Sequence, residues 1–178
     1  MVELGSGDYV YETTGQDWGK LQADATYKEA TSVAVDADDN VYVFNRGTHP
    51  MIVFNSEGDI LDTWGHGVFN VPHGVTVGPD GNIYCVDVGD HTIRKYTPKG
   101  EQLMELQAGH PAGAMSGDPF NRPAHIAVDK DSGDLFVADG YSNARVHRYD
   151  PTGRLITSWG ESGTGSGQFN IVHNVIID

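Results

Sequence analysis

The sequence has few cysteines and few basic residues. Cys85 is the single cysteine among 178 residues, so no disulfide can form within the chain. Eleven lysines and arginines stand against 25 aspartates and glutamates, which gives a formal net charge of −14. Binding to nucleic acid or to an anionic membrane requires a basic surface that neutralises phosphates. The composition therefore argues against both kinds of partner.

Long hydrophobic runs are also missing. No stretch approaches the roughly 18 apolar residues needed to span a bilayer, and residues 1–7 lack the basic and apolar regions of a signal peptide. We expect a soluble chain, and its compartment is not indicated. Helical periodicity, a Gly-rich phosphate loop, a Gly-x-Ser-x-Gly elbow and a Cys-x-x-Cys pair are absent as well. Nucleotide chemistry and thiol redox chemistry are thus unsupported.

A short apolar strand recurs four times along the chain. The copies are VAVD at 33–36, VTVG at 75–78, IAVD at 126–129 and VIID at 175–178. Each of the first three is followed by a polar turn, two further apolar strands, a Gly-containing turn and a fourth strand. Two of these fourth strands end in Trp-Gly, at Trp64 and Trp159. Tandem units of four short antiparallel strands are typical of β-propeller blades.

The sequence therefore predicts an all-β protein of three blades plus one strand. The predicted parts are an N-terminal segment at 1–30, blades at 31–65, 71–107 and 122–160, and the start of a fourth blade at 170–178. Because an open array leaves blade faces in water, and propellers close with about four to eight blades, we expect the chain to be part of a larger ring. Self-association of two halves is an alternative way to close it, with Tyr9–Glu12 as a candidate closing strand.

Residues two places before each repeated strand should lie at the mouth of the central channel. These positions hold Thr31, His73, Ala124 and His173, so histidine recurs at every second blade. Continued around six blades, the alternation would bring three imidazoles together, as in a catalytic zinc site. The third ligand would then follow Asp178. The alternative is that His73 and His173 are polar residues at strand edges.

Two long polar side chains occupy loops that should reach the same mouth. Arg46 could hold a carboxylate or carbonyl oxygen bidentately, and Tyr141 could act as a base beside a cation. The alternative is a packing or surface role for both. The six histidines outside the repeat position are interpreted as structural or surface residues.

Three segments together resemble the peptidyl-α-hydroxyglycine α-amidating lyases, which are built from NHL repeats. They are VFNRGTH at 43–49, VPHGV at 71–75 and VADGYSNAR at 137–145. The likeness continues through Trp159 to His173 and covers most of the chain from about Thr31. It implies NHL-type blades in a six-bladed propeller that is cut near its middle.

The resemblance also implies roles for four residues. His73 and His173 match two of the three histidines that hold a catalytic zinc, or iron. Arg46 matches the active-site arginine and Tyr141 the base. Such enzymes cleave the C–N bond of a carbinolamide to an amide and glyoxylate, so the implied substrate is a small molecule or peptide with a hydroxyglycine-like end.

A second metal and two rival functions complete these expectations. Val33 and Val75 match positions whose carbonyl oxygens bind a structural calcium. The main rival to the lyase is a non-catalytic propeller that binds a protein or small ligand through its loop face. A calcium-dependent lactonase or esterase propeller would need carboxylates in the channel, whereas the sequence places histidines there. We expect these 178 residues alone to be inactive unless a partner supplies the third histidine.

Overall fold

The computed structural model describes residues 2–15, 17–21, 27–106 and 110–178. Its regular elements are the following fourteen strands: β1 (Glu3–Ser6), β2 (Tyr9–Glu12), β3 (Ala30–Val35), β4 (Val41–Asn45), β5 (Met51–Phe54), β6 (Ile60–Trp64), β7 (Pro72–Val77), β8 (Ile83–Asp87), β9 (Thr92–Tyr96), β10 (Gln102–Leu106), β11 (His125–Val128), β12 (Leu135–Asp139), β13 (Arg145–Tyr149) and β14 (Leu155–Trp159). The described part of the chain contains no helix with the length and apolarity to cross a membrane.

Three four-stranded antiparallel sheets hold twelve of these strands in chain order. We call them blade 1 (β3–β6), blade 2 (β7–β10) and blade 3 (β11–β14). Val, Ile, Phe and Tyr fill the second and third strands, where such side chains pack well on a pleated surface. The prediction of an all-β fold with propeller-type blades is confirmed.

The turns of each blade explain why its strands reverse where they do. Between the third and fourth strands, glycines with φ of 80°, 81° and 87° occupy the left-handed region; they are Gly58, Gly100 and Gly153. Between the first and second strands of blade 1, Asp36 Oδ1 accepts the main-chain amides of Asp38 and Asn40 at 2.9 Å. Both sets of turns lie at one end of each blade, which we call the turn end. The opposite end, with the second-to-third-strand loops and the connectors between blades, is the loop end.

Aspartates recur at the turn end and are held by main-chain amides. In blade 3, Asp129 accepts the amides of Asp131 and Ser132. These hydrogen bonds lower the pKa of the Asp129 carboxyl. These aspartates therefore stabilise the turns.

Apolar side chains from facing blades form the core. Between blades 1 and 2, Phe44 is fully buried and its ring lies 4.8 Å from that of Phe69, edge to face. Between blades 2 and 3, Phe120 packs with Ile93 and Tyr149. The connector aromatics Phe69 and Phe120 thus fill the spaces between blades.

The outer face of blade 1 is partly covered by the N-terminal segment. Trp18 packs on Phe54 of blade 1, with ring centroids 5.3 Å apart, and its Nε1 donates to the Ser56 carbonyl at 2.9 Å. Val33 and Val35, on the same face, remain 61% and 54% exposed. This part of the N-terminal segment therefore covers only some of that face.

The candidate closing strand pairs locally in this structure. Tyr9–Glu12 forms an antiparallel hairpin with Glu3–Ser6, and all eight residues are exposed. A two-stranded hairpin without an apolar face against a core contributes little stability by itself. Closure of a ring by this strand stays a prediction.

Residues 170–178, predicted to begin a fourth blade, form no strand. A strand needs a ladder of main-chain hydrogen bonds, and no second strand lies beside this segment among the described residues. It nevertheless lies against blade 3, because Val172 is buried against Ala138 and Val146. The segment is therefore placed by packing instead of by sheet pairing.

The packing predicts a large cost for removing the Phe44 ring. Phe44→Ala should lower the free energy of unfolding by about 3–5 kcal/mol, because the fully buried side chain leaves a cavity between blades 1 and 2. Denaturant titration measures this change. Leu61→Ala, at a side chain that is 50% exposed, is the control and should change stability by less than about 1 kcal/mol. Equal effects of the two substitutions would contradict the packing between blades.

Candidate active site at the loop end

Two histidines and a tyrosine meet at the channel mouth. His73 lies at the start of β7 and His173 lies in the segment beside blade 3, and the two ring centroids are 5.0 Å apart. Tyr141, from the loop after β12, places its hydroxyl oxygen 2.9 Å from His73 Nε2 and 2.8 Å from His173 Nε2. Three residues that the sequence placed at the mouth are thus in direct contact.

The hydrogen bonds fix which nitrogen of His73 carries a proton. His73 Nδ1 lies 2.8 Å from the main-chain carbonyl oxygen of Ala124, which can only accept. Nδ1 must therefore carry the proton, and in the neutral ring Nε2 presents a lone pair toward Tyr141. Because the phenol has one proton, it donates to His73 Nε2 and accepts from His173 Nε2–H.

Electrostatics keep His73 neutral. Burial is the largest cause that lowers its pKa, and the nearby charges of His173 and Arg46 lower it further, against the opposing effect of the Ala124 carbonyl. A neutral imidazole with a free Nε2 lone pair is the form that binds a metal ion. The environment thus favours the ligand-competent state of His73.

Arg46 lies beside the main chain that carries His73. Its Nε donates to the carbonyl oxygen of Pro72 at 3.2 Å, and its Nη1 forms an ion pair with Glu29. The side chain is 31% exposed, so it remains accessible from solvent. The predicted site arginine is therefore held at the channel mouth through its neighbour in blade 2.

A second arginine, Arg122, was not anticipated from the sequence. Its guanidinium carbon lies 5.3 Å from the centroid of the Tyr141 ring, within cation–π range. Its main-chain amide donates to His91 Nδ1 at 2.9 Å. The sequence offered one sign of a special role for Arg122. It is an arginine at the connector position where the other two connectors have the apolar residues Val71 and Ile171.

Two glycines allow main chains to approach closely around the site. A Cβ on Gly74 would lie 2.6 Å from the Ala124 carbonyl oxygen, and a Cβ on Gly140 would lie 1.9 Å from the Val172 carbonyl oxygen. Real Cβ atoms do not come this near to main-chain atoms. Gly74 therefore permits the contact of β7 with β11, and Gly140 permits the His173 segment to lie against the Tyr141 loop.

The remaining predicted site residues are the two expected to bind calcium. Val33 and Val75 are on β3 and β7, the inner strands of adjacent blades, and the Val75 amide donates to Ser32 Oγ at 3.1 Å. Calcium binding by their carbonyl oxygens stays a prediction.

Two of the histidines assigned to structural roles make other contacts. His147 is fully buried between Asp139 and Ser158. His125 bonds to the Val175 carbonyl and does not point at the Tyr141 hydroxyl. Neither joins the cluster of His73, Tyr141 and His173.

The donor set fits part of a transition-metal site. Two Nε2 atoms converge on one oxygen, and the Nδ1 bond of His73 to a carbonyl is the kind of outer contact that orients metal-binding histidines. Among the residues that the structure describes, no group of three or more His, Cys, Asp or Glu side chains could hold a metal ion. The described residues could thus offer two imidazole nitrogens to a metal ion.

The close contact at Gly140 predicts a site-specific effect. Gly140→Ala should push residues 172–173 away from the Tyr141 loop, because the added Cβ overlaps the Val172 carbonyl. The nuclear Overhauser effects between the Tyr141 and His173 rings should disappear. Gly81→Ala is a steric control, since a Cβ there meets nothing within 4 Å. Unchanged ring contacts in Gly140→Ala would contradict this account.

Parts of the chain are similar in sequence to known proteins. Residues 69–96 and 120–149 match the NHL repeat. The chain is 41% identical over 106 residues to peptidyl-alpha-hydroxyglycine alpha-amidating lyase 1 of Drosophila melanogaster, covering 59% of this chain and 19% of that protein. It is 28% identical over 179 residues to the peptidyl-glycine alpha-amidating monooxygenase of Mus musculus, covering 84% and 18%. The chain therefore spans less than a fifth of either protein.

Two further similarities concern the repeat and the fold. NHL repeat-containing protein 3 of Mus musculus is 32% identical over 159 residues, with 82% of this chain and 45% of that protein covered. A solved protein of unknown function from Bacteroides thetaiotaomicron superposes with a TM-score of 0.63 at 19% identity, over 83% of this chain and 42% of its own; this likeness concerns the fold alone. The chain thus carries NHL repeats in a propeller-type array, and its sequence is related to the peptidyl-α-hydroxyglycine α-amidating lyases.

Proposed function

We propose that this chain contributes the site of a metal-dependent lyase that cleaves the C–N bond of a carbinolamide to an amide and glyoxylate. One observation carries the proposal, namely the convergence of His73 Nε2 and His173 Nε2 on the Tyr141 hydroxyl. A half-buried imidazole, His73, and an exposed one, His173, which share no carboxylate partner among the described residues, are suited to a zinc or iron ion at a channel mouth. The similarity to the fly lyase supports the reaction class.

The histidines would bind the metal ion and Tyr141 would transfer the proton. His73 and His173 would hold the ion, which when bound polarises an oxygen of the substrate as a Lewis acid. Beside the bound cation, Tyr141 would first give up its own proton; it then takes the proton of the carbinol hydroxyl, so that a C=O bond forms as the C–N bond breaks. Tyr141 passes this proton to the departing amide nitrogen, and the products are the amide and glyoxylate. The reaction is an elimination, so the substrate contains all atoms of the two products and no oxidant is needed.

Arg46 would bind the carboxylate of the hydroxyglycine end. Its guanidinium is at present paired with Glu29 and bonded to the Pro72 carbonyl. A substrate carboxylate can replace Glu29, because a planar guanidinium matches a carboxylate bidentately. Since Pro72 precedes His73, the bound carboxylate would lie next to the metal ligands. This arrangement favours a substrate that carries its negative charge close to the reacting carbon.

A calcium ion between Val33 and Val75 is part of the same proposal. Their strands β3 and β7 belong to separate sheets, and carbonyl oxygens are suitable calcium ligands. A cation there would join the inner ends of blades 1 and 2. Its role would be structural.

A non-catalytic binding propeller is the second candidate function. The match to NHL repeat-containing protein 3 covers a larger share of that protein than the match to either amidating enzyme. In this case the loop end would bind a protein or small ligand without metal. Metal binding separates the two candidates.

We expect the protein to bind one cobalt(II) ion, as a spectroscopic substitute for zinc, at the channel mouth. His73→Ala and His173→Ala should each abolish the cobalt absorption bands, because each removes one of the two imidazoles. His49→Ala, in a loop at the same end, is the matched control and should retain them. Cobalt spectra that are identical in all three variants would favour the binding propeller.

The role of Tyr141 is tested by removing only its hydroxyl. In zinc-loaded protein to which the third histidine is supplied and which releases glyoxylate from an α-hydroxyglycine peptide, Tyr141→Phe should lower the rate by about 10²-fold or more, because general-base catalysis is lost. Zinc content should stay unchanged. Tyr9→Phe, in the exposed hairpin, is the control. A Tyr141→Phe protein with the original rate would exclude Tyr141 as the base.

A further inference from the structure

We propose that His125 is a positioning residue that holds the segment carrying His173 in register at the site. It does so by donating a hydrogen bond from Nδ1 to the main-chain carbonyl oxygen of Val175, at 3.2 Å. Its importance for catalysis rests on the proposed function. The positioning itself is a property of the chain that can be measured without metal or substrate.

The need for such a contact follows from the structure of residues 170–178. Main-chain bonds hold Phe169, directly before the segment, to Glu161 and Gly163, but the segment itself has no strand pairing. Apolar packing of Val172 against Ala138 and Val146 holds it to the blade. Apolar contacts are not directional, so the path of the chain on the far side of His173 needs a directional bond to be fixed.

His125 provides that bond from the first strand of blade 3. A carbonyl oxygen only accepts, so His125 Nδ1 must carry the proton. Burial is the main cause that lowers the pKa of His125, which keeps the ring neutral and its Nε2 unprotonated. Thr76 Oγ1 lies 3.5 Å from that Nε2, but it donates its own proton to the Ile126 carbonyl at 2.7 Å. The bond to Val175 is therefore the directional contact that orients the ring.

The position of the bond makes it effective for His173. Val175 follows His173 by two residues, which is at most about 7 Å of extended chain. A slip of one residue would move the segment by about 3.3 Å. The contact between His173 Nε2 and the Tyr141 hydroxyl is 2.8 Å long, and such a slip would break it. The His125 bond and the site geometry are thus coupled through two residues of main chain.

Isosteric substitutions separate the hydrogen bond from the bulk of the side chain. His125→Asn keeps a donor close to the place of Nδ1. His125→Gln is also a neutral amide, but its donor lies one bond farther out, and His125→Leu has none. We expect the nuclear Overhauser effects between the Tyr141 and His173 rings, whose centroids are 5.3 Å apart, to persist in the Asn variant. They should be lost in the Gln and Leu variants. His110→Leu, at an exposed histidine in a blade connector, is the control.

A second readout links positioning to the metal. Cobalt(II) affinity of the Gln and Leu variants should fall by about 10–100-fold, as for other contacts that orient a metal ligand, and the Asn variant should recover most of it. Thermal unfolding of each variant shows whether the blades remain folded. If the Leu variant does not fold, the comparison of Asn with Gln still decides the question.

The outcomes distinguish this inference from the proposed function. Ring contacts of original intensity in the Gln and Leu variants would overturn the role of His125, even if the unaltered protein binds metal and releases glyoxylate. Ring contacts that are lost in Gln and restored in Asn would support it. If they behave so while the unaltered protein binds no metal, the positioning role stands and the lyase proposal fails.

Discussion

The inner strands of neighbouring blades belong to separate sheets, so no main-chain ladder joins them where the channel is formed. Side chains supply the missing connections. Thr76 Oγ1 donates to the Ile126 carbonyl at 2.7 Å, and Ser32 Oγ accepts the Val75 amide at 3.1 Å. His73 and His125 each bond to a carbonyl of the next segment. Apolar packing brings the blades together, but these directional bonds set the heights of the inner strands relative to one another.

The candidate site is a product of the same bonds. His73 joins β7 to β11 through the Ala124 carbonyl, and that bond also turns its Nε2 lone pair toward the Tyr141 hydroxyl. Stability and ligand geometry thus depend on one hydrogen bond. Gly74 and Gly140 serve the same purpose from the main chain, since both allow approaches that any side chain would block. Changes at the inner strands will therefore affect fold and site together.

The repeat made most of the fold predictable from the sequence. Strands, turn aspartates and connector aromatics recur at equivalent positions, so the pattern of one blade predicts the same elements in the others. His73, His173 and Tyr141 could be placed at one mouth because repeat position determines the end of the blade. Arg122 could not, because its approach to the Tyr141 ring depends on a connector with φ of 62° and on a bond to His91. The absence of strand pairing at residues 170–178 could not be predicted either, because a strand-like sequence forms a strand only where a neighbouring strand pairs with it.

The acidic turns have a consequence for the molecule as a whole. The chain carries a formal net charge of −14, and Asp36, Asp80 and Asp129 lie at the turn end. Lys95 and Arg148 pair with Asp80 and Asp134 there, so only part of that charge is neutralised. Like charges repel, so two copies of the chain are disfavoured from meeting through their turn ends within about one Debye length of 8 Å at physiological ionic strength. The side chains that stabilise the turns thereby also oppose association at this end.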